Sequence, residues 1–194
     1  MTRPCALVAA FLLAGSAFAS TLTFTLDLSS ANEVPPNTST GTGTATVVLN
    51  TVAQTLSVDI TFSGLTSVTT GAHIHCCTPS PTTMNTGVAT TVPAFPGFPL
   101  GVTSGTYSDT LDLTSSGSYN PAFVTLEGGT VAQAEAALIA GIENNETYLN
   151  IHTTNNPGGE IRAALLTPEP ATSLISAAAL AGLLLRRRVQ CRHQ

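Results

Sequence analysis

A chain of 194 residues, 43% hydrophobic and only 9% charged, is long enough to bury one ordinary core. It has no Lys, and of its arginines only Arg162 lies between residues 20 and 167, where ten of the eleven acidic residues also lie. That region is therefore strongly acidic. Nucleic-acid binding is excluded because nothing there can neutralise phosphates, and an anionic membrane surface would repel it, whereas cationic partners, metal ions included, stay open.

The chain begins with Arg3, an apolar run from Ala6 to Ala14, and the small-residue ending Ala17-Phe18-Ala19. This is the plan of a secretory signal peptide over residues 1–19, with signal peptidase expected to leave Ser20 as the mature start. The run is too short to span a bilayer, which needs about 20 residues. Apolar and polar residues then alternate, the period of a half-buried strand. Leu22, Phe24, Leu26 and Leu28 form one such set; Val47 and Leu49 follow Gly41-Thr42-Gly43; Leu56, Val58, Ile60 and Phe62 form the next. Tyr107, Asp109, Leu111 and Leu113 alternate more weakly, and Ala122, Val124 and Leu126 alternate around Phe123. Leu149 and Ile151 form one face of a strand, and Ile161, Ala163 and Leu165 one face of the last. Seven or eight short strands divided by Gly, Pro and Asn clusters predict an all-β sandwich or barrel.

One helix is expected across the open end of that sandwich. Thr130 caps it with Gln133 three places on, Ala134, Leu138 and Ile142 make one apolar stripe, and Asn144-Asn145 ends it. The stretch Thr78 to Gly101 holds Pro79, Pro81, Pro93, Pro96 and Pro99 and cannot be a central strand. A loop of that length in a compact domain is usually functional or poorly ordered.

Chemistry concentrates on two strands. In Ala72-His73-Ile74-His75-Cys76, period two places His73 and His75 on one face; in Tyr148-Leu149-Asn150-Ile151-His152, His152 shares a face with Asn150. If the strands are neighbours, three imidazoles converge. Three histidines on rigid strands suit Zn or Cu with an open fourth position, for which Cys77 is a candidate ligand by parity. The same histidines also suit a structural hydrogen-bonded cluster. Cys76 and Cys77 admit three readings: a disulfide between neighbours, two free thiols, or metal ligation. Cys5 and Cys191 lie in the terminal segments, so no disulfide scaffold is available and the core must carry stability. Arg162 needs a carboxylate partner, and the candidates are Glu33 and Glu160. A pair between Arg162 and Glu33 is expected, worth about 3–5 kcal/mol on breaking if buried and under about 1 kcal/mol if exposed. No nucleophile–base pair, phosphate loop or paired catalytic carboxylates are present. The expectation is a non-enzymatic binding or structural module, with a metal-binding domain as the alternative.

Three family resemblances add to this. Pro168-Glu169-Pro170, the apolar run Ala171 to Leu185 and Arg186-Arg187-Arg188 resemble a PEP-CTERM sorting tail over residues 168–194. As a helix the run would be about 22 Å long, shorter than the roughly 30 Å hydrocarbon core, with the arginines on the cytoplasmic side. The resemblance implies transient anchoring in the inner membrane, processing by an exosortase-type membrane protease, and delivery to the cell surface, outer membrane or exterior. There, extracellular polysaccharide or other surface proteins are the expected partners. Over residues 20–167, three motifs in order resemble the CHRD (chordin-like) domain: Asn32-Glu33-Val34-Pro35-Pro36 with the Thr-Gly repeat at Thr40 to Thr46; Ala72-His73-Ile74-His75; and Tyr148 to Thr154 with Pro157-Gly158-Gly159-Glu160-Ile161-Arg162. That implies an immunoglobulin-like β-sandwich or barrel of unassigned molecular function. Cys76-Cys77 departs from the family pattern, where a Gly-containing turn is usual. The layout is also similar to Cu/Zn superoxide dismutase at His73, His75, His152 and Arg162. The bridging histidine and zinc ligands of that enzyme have no counterpart, so dismutase activity is not expected.

Overall fold

A computed structural model of the chain describes residues 21–167. The expected signal peptide and the sorting motif of Pro168, Glu169, Pro170, Arg186, Arg187 and Arg188 lie outside the described residues.

Seven strands form: β1 Thr21–Ser29, β2 Thr42–Asn50, β3 Thr55–Ser63, β4 Thr69–His75, β5 Gly105–Asp112, β6 Tyr148–Thr153 and β7 Ile161–Ala164. They make one antiparallel sheet in the order β4-β6-β7-β1-β2-β3-β5. β1 and β7 share a single residue pair, Ser29 with Arg162. The sheet therefore has a three-stranded and a four-stranded half, and inward residues of both, such as Phe24, Val58, Ile74 and Leu149, belong to one core. The sheet curls back on itself to bury its own apolar face. The fold is all-β with one substantial helix.

In the four-stranded half the alternation in sequence is the alternation in burial. Phe24, Leu26, Leu28, Ala45, Val47, Leu49, Leu56, Val58, Ile60 and Phe62 point inward. Thr23, Thr25, Thr44, Asp59, Thr61 and Thr106 face outward and are exposed. The three-stranded half is different: every residue of β6 and all but Thr70 of β4 are buried. Both of its faces are covered, one by the core and one by loops. The proline-rich stretch supplies much of that cover. Ala89 N–H donates to Ile74 O (2.9 Å) and Phe95 N–H to Ala72 O (2.9 Å), so the loop runs along the free edge of β4 before Phe95 and Phe98 enter the core.

The segment expected as a strand around Phe123 is instead helix α1, Pro121–Leu126. The misreading has a local cause. Asn120 accepts from Ala122 N–H (3.0 Å) as N-cap and Pro121 occupies the first helical position, a start signal that outweighs a three-residue alternation. Helix α2, Val131–Glu143, forms as expected: Thr130 accepts from Gln133 N–H (3.3 Å), and Ala134, Leu138 and Ile142 are fully buried. Gln54, in the β2–β3 turn, donates to Glu135 (2.8 Å) and ties α2 to that end of the sheet.

Gly141 of α2 lies against Cys76 and Cys77, which are joined by a disulfide. A Cβ there would come to 2.7 Å from Cys77 Sγ and closer still to Cys76 Sγ. Gly141→Val is therefore expected to lose about 1–3 kcal/mol by overpacking, read as a lower urea midpoint at unchanged m-value. An unchanged midpoint would show that helix and disulfide separate freely.

Candidate metal centre

The register of β4, β6 and β7 assembles the site. Gly71 lies opposite His152; His73 opposite Asn150, which lies opposite Arg162; and His75 opposite Tyr148. Opposed residues of an antiparallel pair share a face. His73, His75, Tyr148, Asn150, His152 and Arg162 thus project from the face turned away from the core. Ala72, Ile74, Leu149, Ile151 and Ile161 on the other face are fully buried in the core.

The structure brings the three histidines together. Ring centroids are 4.8 Å apart for His73–His75, 4.5 Å for His73–His152 and 5.6 Å for His75–His152, and one nitrogen from each lies within 4.8 Å of the others. Two of the tautomers are fixed by backbone carbonyls. His75 Nδ1–H donates to Thr86 O (2.8 Å) and His152 Nδ1–H donates to Pro157 O (3.0 Å), because a carbonyl can only accept. Each ring in its neutral form then carries its lone pair on Nε2. These two Nε2 atoms face each other at 3.4 Å. Two lone pairs at that distance repel unless a cation lies between them. Tetrahedral zinc with bonds of about 2.0–2.1 Å needs ligand nitrogens about 3.3 Å apart, close to the separation found. A proton suits the gap poorly. Burial pushes the His75 imidazolium down to about 4, and burial with the neighbouring His152 and His75 pushes His73 down to about 2. Burial lowers His152 as well. Gly71 lets the proline-rich loop close over this face, since a Cβ there would strike Pro93 O at 2.6 Å.

The disulfide removes Cys77 from the ligand set. The sequence placed Cys77 on the histidine side by extending strand parity, but β4 ends at His75. The Cys77 sulfur instead lies 3.6 Å from Ala137 O on α2 and is bonded to Cys76. Among the described residues the candidate ligands are His73, His75 and His152.

Arg162 and Glu33 meet differently from expectation as well. No hydrogen bond or ion pair joins them. Arg162 Nη1 donates to Asn85 Oδ1 (2.6 Å), while Nη2 donates to Met84 O (2.6 Å) and to Pro81 O. Its guanidinium carbon stacks 3.4 Å from the centroid of the Tyr148 ring. The first and last motifs are joined instead by Asn32, whose side chain donates to Arg162 O (2.9 Å), and by Asn85, which donates to Val34 O (2.7 Å). Glu33 accepts from Asn150 (3.4 Å). Burial raises its carboxyl to about 7, against the lowering pull of Arg162 and Asn150. Glu160 also avoids Arg162, accepting from Ser39 Oγ–H and Thr66 N–H (2.6 Å each) and from the Thr153 hydroxyl.

Sequence reasoning passed over Tyr148, although its parity with Asn150 and His152 placed it on this face. It could not have found the carbonyls of Thr86 and Pro157, which carry no residue-type signal. Neither a curated protein nor a solved structure matches the chain. The family model of the CHRD domain matches residues 24–165, and with that span it places this chain in the CHRD-domain family.

Proposed function

We propose that this protein is an exported surface module, without a reaction of its own, that holds one transition-metal ion through His73, His75 and His152. The observation that carries the reading is the 3.4 Å approach of two Nε2 atoms whose Nδ1–H groups are both tied to carbonyls. Carbonyl-oriented imidazoles are the usual outer support of a metal ligand. Three neutral nitrogens favour Zn or Cu over Mg or Ca, and three protein ligands leave a position open.

Export rests on the amino-terminal signal pattern. Delivery rests on the Pro168-Glu169-Pro170 tail, which would bring the chain to an exosortase-type protease and then to the surface. No helix among the described residues is long and apolar enough to cross a membrane. The exposed Thr and Ser side chains of β1, β2, β3 and β5, with Asp27 and Asp59 among them, suit contact with neutral polysaccharide or other surface proteins.

The test is elemental analysis of protein purified without nickel affinity, followed by zinc and copper titration of metal-free protein. About one equivalent is expected to bind, and zinc at 100 times Kd should raise stability by about 2.7 kcal/mol. His152→Ala should abolish that gain. Metal-free protein that takes up neither zinc nor copper overturns the reading.

A further inference from the structure

Arg162 is fully buried, and all three of its donated bonds end on one short stretch: Pro81 O, Met84 O and Asn85 Oδ1. None of these acceptors is charged. A buried guanidinium held by neutral groups is a costly arrangement if its only use is to keep a loop in place. The loop is in any case fastened further along, by the bonds of Ala89 and Phe95 to β4.

What the arginine fixes in particular is the residue that follows. Thr86 comes directly after the pinned stretch, and its carbonyl accepts from His75 Nδ1–H. Its N–H donates to Tyr148 Oη (3.2 Å), and its hydroxyl donates to Cys76 O (3.1 Å). Tyr148 in turn stacks on His75, with ring centroids 4.5 Å apart and planes 8° from parallel, while Arg162 stacks on the same tyrosine. Arg162 therefore reaches His75 by two routes, through the Thr86 carbonyl and through the Tyr148 ring. His152 has neither link, since its Nδ1–H goes to Pro157 O.

We infer that Arg162 is a positioning residue for the three-histidine site: it pins residues 81–85 so that the Thr86 carbonyl holds His75 in the Nδ1–H form, with the Nε2 lone pair turned to His152. The purpose of this arrangement rests on the metal-binding reading. The tautomer control itself is a property of the metal-free chain, so the two can fail separately.

The experiment is long-range proton–nitrogen NMR of the histidine rings in the full, metal-free chain at neutral pH, with zinc affinity measured in parallel by chelator competition. In the unaltered chain both His75 and His152 are expected as the Nδ1–H form. Arg162→Lys keeps the charge but loses the planar fork, and Asn85→Ala removes one acceptor from an exposed loop position. Either is expected to give a mixed tautomer at His75, an unchanged His152, and zinc binding weakened about tenfold. If Arg162→Lys fails to fold, Asn85→Ala decides. An unchanged His75 tautomer in a folded variant overturns the inference. A shifted His75 tautomer in a chain that binds neither zinc nor copper supports the positioning role and removes the metal reading instead.

Discussion

Glu160→Ala is expected to destabilise the domain by about 3–5 kcal/mol, enough to unfold a protein of ordinary stability. Glu160 is fully buried, and its two oxygens collect donors from three separate segments: Ser39 before β2, Thr66 before β4, and Thr153 at the end of β6. Truncation leaves the Thr66 N–H and two hydroxyls without their acceptor in a water-poor place, and an unmet buried donor costs about 1–3 kcal/mol. Glu160→Gln should recover only part of the loss, because its amide group turns donors toward donors. Burial works against ionisation of this carboxyl, but the hydrogen bonds outweigh it and hold it below the usual range. Its contribution is thus present above about pH 4.5 and lost as the pH falls through the lowered value. Urea unfolding at pH 7 checks the prediction. A loss below about 1 kcal/mol would mean that the three segments are held together by other contacts.

Acidification from pH 7 to pH 5 is expected to remove about 2 kcal/mol of stability from the metal-free domain. His73 and His75 are held neutral well below the ordinary histidine value of about 6.5, chiefly by burial, and burial lowers His152 as well. Below pH 6.5 the unfolded chain binds protons that the folded chain refuses. Stability is therefore full above that pH and falls as the pH drops toward the folded values, by up to about 1.4 kcal/mol per pH unit for each histidine. Glu33 acts in the opposite sense. With its carboxyl raised to about 7, the folded state keeps a proton that the unfolded state has lost, so between about pH 4.5 and 7 its ionisation is a cost that acid relieves. The two strongly lowered histidines against one carboxyl leave a net of about one proton, or roughly 1.4 kcal/mol per pH unit near pH 5.5, and the lowered His152 adds to it. Zinc should delay the loss to lower pH, because protons must then displace the metal. Urea midpoints across the range, repeated with His152→Asn, check the sign and the slope. Flat stability between pH 7 and pH 5 would mean that the imidazoles are solvated in the folded state.

Periodicity told much of this in advance because it is a local property. A side chain in a strand alternates faces whatever the strand later pairs with, so Phe24 through Leu28, Leu56 through Phe62, and the shared face of His73 and His75 could be read directly. The α2 stripe and its Thr130 cap are equally local. The same logic went astray where a segment was too short to carry a period, as at Ala122 to Leu126. It also failed where parity was continued past the end of a strand, as at Cys77.

The order of residues alone set the alternation of inward and outward residues, the α2 helix, and which face of its strand each histidine occupies. The fold made β4 and β6 neighbours, which is what turns two separated histidine patterns into one cluster. It also decided that Arg162 spends its donors on a loop instead of on Glu33, and that two backbone carbonyls set the imidazole tautomers. The physical reason is range. Pleat and helix repeat are fixed by adjacent residues, whereas strand order, loop cover and the approach of a carbonyl to a ring depend on residues far apart in the chain, and a peptide oxygen is the same atom at every position.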